Sequence, residues 1–240
     1  ISSAVLGPFL VKKPDVIYVY NLVTLMPTAK ILRVAHKAKI VLDVQDLWPE
    51  SVISSGMMKN RALGRLLGGW CRKQYQCADF LTVLSAGFKR RLVEQGLNES
   101  RVGVIYNWCS EFKQKFSEEA TKILKREMVK SNDFNILFAG TIGELQGLNV
   151  VLEAAHKLEK MKKNIVFTLM GGGVDVARLK QKAKGLKNVN FLPRCAPEKA
   201  ADMMASADAL LVHLKEDPLF HITVPSKTQA SLFAGRPILM

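Results

Sequence analysis

The chain has 240 residues, 48% hydrophobic and 23% charged, a balance that fits a folded globular protein and excludes a fibre or a disordered tail. Its 35 Lys and Arg against 21 Asp and Glu leave a formal charge of +14, which favours an anionic partner such as a nucleotide, a nucleic acid or an acidic membrane face. No apolar run reaches the roughly 18 residues of a membrane span. The 4 cysteines (Cys71, Cys77, Cys109, Cys195) show neither CxxC nor metal spacing and read as reduced cytosolic thiols.

Residues 2–6 read as the tail of a helix stopped by Gly7 and Pro8. The run 15–20, VIYVY after Pro14, has a buried-strand pattern, 27–38 predict a helix, and 39–44 (KIVLDV) predict the next strand. That strand runs into a polar and aromatic loop holding Asp43, Asp46, Trp48 and Glu50. Helix is expected over 62–76 and strand over 80–84. Ser85 is placed to cap the helix that follows, which Gly96 stops. A strand over 102–106 closes at Asn107. Residues 111–133 are rich in Lys and Glu with little β-branching, and read as helix, linker and domain boundary.

A second set begins at Phe134. The strand 134–139 ends in Gly140, a loop with Gly143 and Gly147 follows, and Leu148, Val151, Leu152, Ala155 and Leu158 are then spaced for one helix face. Such a strand–loop–helix unit aims backbone N–H groups at whatever lies above the strand, and anions suit that place. The strand 165–170 ends in Gly171-Gly172-Gly173, 174–184 predict a basic helix, and a short strand over 189–192 exits at Pro193-Arg194. Helix 197–205 begins on a proline. The strand 209–214 leads into an irregular loop, 215–224. Pro225-Ser226-Lys227 opens a helix running to Ala234, with Gly235 as its cap.

Repeated β–α alternation, with apolar runs that do not alternate, predicts α/β architecture with parallel strands buried on both faces, and the second set predicts a doubly wound sheet. The expected division is residues 1–112 as a partial first Rossmann-like domain, 113–132 as linker and 133–240 as a partial second. The apolar run RPILM at one end and the helix tail at the other read as a fragment of a longer chain.

Neither GxxxxGK[ST] nor a clean GxGxxG is present, which argues against a P-loop NTPase or an ordinary dinucleotide dehydrogenase. Gly143 either lets backbone approach a diphosphate or serves a turn. Lys227 adds a cation to the positive end of a helix, an arrangement that asks for an anion, and Ser226 either caps that helix or donates to the same ligand. Three consecutive glycines cost backbone entropy, so something large or close is expected beside Gly171 and Gly172. Arg194, at a strand exit, can meet a nucleobase or phosphate, or stay on the surface. Asp46 can orient a hydroxyl, act as a base or cap a turn. Trp48 can pack on a sugar or wedge the domain. His213, in the expected strand, reads as a satisfied interior residue and His156 as a surface one. Histidines are too few and too ill-spaced for a metal site. Basic residues scatter over helices without interleaved aromatics, which argues against nucleic acid.

In chain order, DVQDLWPES from Asp43, LSAGFKRRL from Leu84, FAGTIGELQGLNVVLEA from Phe138, LMGGG from Leu169 and VPSKTQASLFAGRPIL from Val224 resemble the GT-B glycosyltransferases. The likeness is to the retaining, glycogen-synthase-like superfamily (glycosyltransferase family 4), and within it to bacterial O-antigen and capsule amino-sugar transferases. The resemblance implies two Rossmann-like domains facing a cleft. The second would bind a nucleotide-sugar, expected to carry UDP, and the first an acceptor on a polyprenyl carrier at the inner face of the plasma membrane. It implies a cytoplasmic, peripheral enzyme that retains anomeric configuration with no obligatory metal or other cofactor. By position, Thr141, Gly143, Gly171 and Gly172 would border the nucleotide, Arg194 would lie by the base, Ser226 and Lys227 would lie by the phosphates, and Asp46 on the acceptor side. Thr141 and Gln146 stand where the family often has Arg and Lys. Its Glu-x7-Glu pair falls on Ile222 and Ala230. Those departures keep two other readings open: a non-catalytic relative binding a partner or membrane surface, and a nucleotide-sugar epimerase or phosphorylase.

Overall fold

The computed structural model describes residues 2–58, 60–109, 122, 125 and 133–240. The expected linker, 113–132, lies outside the described residues except at those two positions. Two compact units form: Ile1–Asn107 with Asp217–Val224, and Trp108–Glu216 with Pro225–Met240. The division is therefore not contiguous in sequence, because a short segment of the irregular loop packs with the first unit.

In the first unit, β1 (Val16–Tyr20), β2 (Lys39–Val44), β3 (Phe80–Val83) and β4 (Val102–Val104) form one parallel sheet in the order β1-β2-β3-β4. Their connections are α2 (Met26–His36), the pair α3 (Glu50–Ser54) and α4 (Arg61–Cys77), and α5 (Ala86–Glu94), with α1 (Ser2–Leu10) ahead of β1. As the serine predicts, Ser85 caps α5, its Oγ accepting from the Phe88 amide at 3.0 Å. Ile40, Leu42 and Leu81 of the sheet bury against Met26, Tyr75, Phe88 and Leu92 of the helices, and Leu219 of the returning segment joins the same core.

The first helix corrects the sequence reading. It does not stop at Gly7 and Pro8 but runs through them to Leu10, and the Val11 amide closes on the Gly7 carbonyl at 3.0 Å. Gly7 marks a close contact instead, since a Cβ there would lie 3.0 Å from Leu32 Cδ2 on α2. Strand β4 is also shorter than the expected 102–106. Its neighbour β3 ends at Val83, and the Ile105 amide takes the last carbonyl available, that of Val83 at 2.9 Å.

In the second unit, β5 (Phe134–Ala139), β6 (Ile165–Met170), β7 (Val189–Leu192), β8 (Ala209–Leu211) and β9 (Ile238–Leu239) form a parallel sheet in the order β7-β6-β5-β8-β9. The helices are α6 (Asn149–Lys160), α7 (Val176–Lys182), α8 (Pro197–Ser206) and α9 (Lys227–Phe233). Ile136 and Phe138 enter one core with Leu152, Ala155 and Leu179, while Leu137 enters another with Met203, Met204 and Leu210. Alternate residues of one strand thus serve opposite faces, and covering both faces gives β5 its apolar run over 136–139. Strand β8 stops short of the expected 209–214 because its neighbour β9 pairs with Leu210 and Leu211, and the Val212 amide makes the last bond, to Leu239. His213 consequently lies beyond the strand, with Nδ1 2.6 Å from the Gln146 carbonyl oxygen.

Candidate functional site

The carboxyl ends of β5, β6 and β7 open into a cavity of about 320 Å3. Its walls are Ala139, Gly140 and Thr141 after β5, Met170, Gly171 and Gly172 after β6, Arg194 and Cys195 after β7, and Pro197, Ala200 and Met204 of α8. Ligands of doubly wound sheets bind at this edge, beyond the strand ends.

Two glycines build the wall by letting backbones touch. Gly171 has φ +152°, and a Cβ on it would lie 1.8 Å from the Gly140 carbonyl oxygen; one on Gly173, also at φ +152°, would lie 2.1 Å from that of Ile142. The loops after β5 and β6 are therefore in backbone contact, tied by the Ile142 amide to the Gly172 carbonyl at 2.9 Å. The close neighbour expected of the glycine triplet is this adjoining loop. Gly172 differs from both flanking glycines: a Cβ there meets nothing within 4 Å, and the residue faces the cavity. The amides of Thr141 and Gly172 donate to no backbone carbonyl among the described residues.

Lys227 begins α9 and sends its ammonium inward. Nζ lies 4.0 Å from the centroid of the Phe138 ring, and 3.4 Å from where a Cβ on Gly140 would sit. It is buried and has no hydrogen-bond partner among the described residues. Burial pushes its pKa down to about 8. The face of Phe138 gives the cation partial compensation through its quadrupole, and the ammonium keeps hydrogen-bonding capacity that an anion would use. The missing partner, the cavity beside Gly140 and the strand-end position converge on one place.

Other predicted residues fall differently. Ser226 stands at the start of α9 but makes no side-chain capping bond, its backbone being already helical (φ −56°, ψ −26°) where a capping residue is extended. Gly143 is buried and extended; its amide donates to Gln146 Oε1 at 3.0 Å, and it lies off the cavity wall. Arg194 is exposed on the cavity rim. Asp46 belongs to the first unit and is exposed, with Asn21 Nδ2 donating to it at 3.2 Å. Its neighbour Asp43 is buried and accepts from Thr82 Oγ1 at 2.7 Å, Tyr18 OH at 2.9 Å and Gln45 Nε2 at 2.9 Å, which ties the β1–β2–β3 ends together. Trp48 packs against the first core. Sequence reasoning passed over Phe138, Cys195 and Met204. Each looks like ordinary core by spacing, and the aromatic immediately ahead of Ala139-Gly140 is the one signal that could have marked Phe138.

Two units built on parallel sheets, the first wound in one direction only and the second doubly wound with a cavity at its strand ends, have the GT-B fold, and solved structures of that class superpose on the chain. The complex of Anabaena Alr3699/HepE with UDP matches with a TM-score of 0.76 at 14% identity, covering 98% of this chain and 62% of that one. The complex with UDP-glucose gives 0.71 at 18%, covering 93% and 58%. Residues 3–108 match the family Glycosyl transferase 4-like domain, and residues 119–219 match Glycosyl transferases group 1. The chain therefore has the GT-B fold and is similar, part by part, to these two glycosyltransferase families. It is 30% identical over 224 residues to the probable glycosyltransferase WbjE of Pseudomonas aeruginosa, covering 91% of this chain and 55% of that one. It is 26% identical over 231 residues to the putative colanic acid biosynthesis glycosyl transferase WcaI of Escherichia coli K12, covering 93% and 56%. The chain thus spans about half the length of the curated relatives it matches. No helix among the described residues is long and apolar enough to cross a membrane.

Proposed function

We propose that the protein is a retaining glycosyltransferase that moves an N-acetylated amino sugar from a UDP donor to a polyprenyl-linked saccharide in cell-surface polysaccharide synthesis. The observation that carries the reading is the buried, unpartnered ammonium of Lys227 beside the strand-end cavity. A diphosphate entering that cavity supplies the partner Lys227 lacks. As the bond from the sugar carbon to the diphosphate oxygen breaks, negative charge grows on the departing oxygens. A positive group fixed in advance in a low-dielectric site stabilises that charge more than water does. The amides of Thr141 and Gly172 add donors, and Arg194 at the rim is placed for the base or an outer phosphate. The acceptor hydroxyl joins the same sugar carbon on the face the diphosphate leaves, and its proton passes to the departing diphosphate oxygen. Lys227 and the amides supply the positive field, so the reading requires no metal. The net charge of +14 suits work at the anionic cytoplasmic face of a membrane.

Support for the donor comes from the UDP and UDP-glucose complexes of a structural neighbour, and support for the pathway from the polysaccharide relative. UDP is expected to raise the melting temperature, with saturation at about 100 Kd contributing about 2.7 kcal/mol, and GDP and TDP are expected to do so less. Equal, flat melting curves for all three would leave the non-catalytic reading in its place.

A further inference from the structure

A second cavity, of about 490 Å3, lies wholly within the first unit, between α3, α5 and the returning segment Asp217–Val224. Gly87 seats that segment: a Cβ there would lie 2.5 Å from Ile222 Cβ, and Ser85 Oγ donates to the Ile222 carbonyl at 2.6 Å. The lining is apolar at Ile53, Leu219 and Ile222, and polar opposite them. Glu50 is held by one oxygen only. Its Oε1 accepts from Gln95 Nε2 at 2.9 Å and faces Arg91 Nε at 3.5 Å, while Oε2 is buried without a hydrogen-bond partner among the described residues. A buried carboxylate oxygen of this kind calls for a donor. Arg90 also lines the cavity and is engaged by no group among the described residues.

We propose that this cavity binds an uncharged sugar residue. A sugar ring has an apolar face for Ile53, Leu219 and Ile222, and its hydroxyls both donate and accept. One hydroxyl donates to Glu50 Oε2, and Arg90 donates to a neighbouring hydroxyl oxygen. An ammonium compound would satisfy Glu50 but repel Arg90. An anion is disfavoured because the ionised lining carries three carboxylates (Glu50, Glu94, Asp217) against two guanidiniums (Arg90, Arg91). Nothing in this depends on the nucleotide reading of the second unit.

The test is ligand-observed NMR titration of the protein with methyl glycosides of glucose, galactose, mannose and N-acetylglucosamine, with glucuronate as the anionic comparison. At least one methyl glycoside is expected to saturate. Glu50→Gln, which keeps the shape and the contact with Gln95, and Arg90→Ala, at an exposed position, are each expected to weaken it about tenfold. UDP and Lys227→Met are expected to leave it unchanged. The assignment fails if no glycoside saturates, if neither cavity variant weakens binding, or if UDP displaces the sugar. It fails equally if glucuronate binds more tightly than the glucoside.

Discussion

Lys227 carries a cost that packing alone does not explain. Its pKa is 10.5 in water and about 8 in the folded chain, because the ammonium is desolvated over Phe138 with no acceptor. The folded state therefore binds fewer protons than the unfolded state between those two values. The penalty is present in full below about pH 8 and disappears as pH rises through 10.5, so stability from this residue increases with pH. Lys227→Met is expected to stabilise the chain at pH 7 by ~2 kcal/mol, seen as a higher denaturation midpoint, while abolishing the UDP-induced shift in melting. A destabilised Met variant would show that the ammonium has a partner in solution. A diphosphate restores the lysine's pKa, so UDP affinity is expected to be constant below about pH 8 and to fall up to tenfold per pH unit above it. Calorimetric titration from pH 6.5 to 9.5 measures this, and a flat profile would remove Lys227 from the phosphates.

At the scale of elements, the site is made by two loops pressed together. The loops after β5 and β6 leave adjoining strands and touch backbone to backbone at Gly140–Gly171 and Ile142–Gly173. Gly171→Ala would place a methyl group 1.8 Å from a carbonyl oxygen at a φ that L-residues avoid. It is expected to cost ~3 kcal/mol or more and to spoil nucleotide binding through loop displacement. Gly172→Ala has open space at its Cβ and is expected to keep the wild-type melting temperature within a degree or two, yet to weaken UDP because the methyl enters the cavity. Equal melting temperatures for the two variants would contradict the loop contact.

Over the whole molecule, the chain enters the second unit, returns to the first for Asp217–Val224, and re-enters the second at Pro225. Lys227 therefore follows three residues after a segment that Ser54, Ser85 and Gly87 anchor in the first unit. The net charge of +14 acts at this scale as well. Cosedimentation with phosphatidylserine-containing vesicles is expected at low ionic strength and is expected to fall steeply between 50 and 500 mM salt, as screening shortens to about 3 Å near 1 M. Equal pelleting with uncharged phosphatidylcholine would argue against the charge as the cause.

The sequence by itself determined the elements whose physics is local. Strands 39–44, 134–139, 165–170 and 189–192 were legible to the residue because each is a mostly apolar run bounded by turn residues. Ser85 and Gly96 marked the two ends of α5. Lys227 stood out because a lysine at a helix start is electrostatically misplaced without an anion. What only the tertiary structure decided depends on atoms distant in the chain. The extent of β4 and β8 was set by where neighbouring strands ran out of hydrogen-bonding partners, and the passage of α1 through Pro8 by no pattern the sequence shows. The glycine triplet served loop-to-loop contact. Phe138, by spacing a core residue, became the floor beneath a cation, and Glu50 kept a bare oxygen in a cavity roofed by residues 217–222. Strand and cap signals lie within a few residues of one another, whereas contact and burial are properties of what the folded chain brings near.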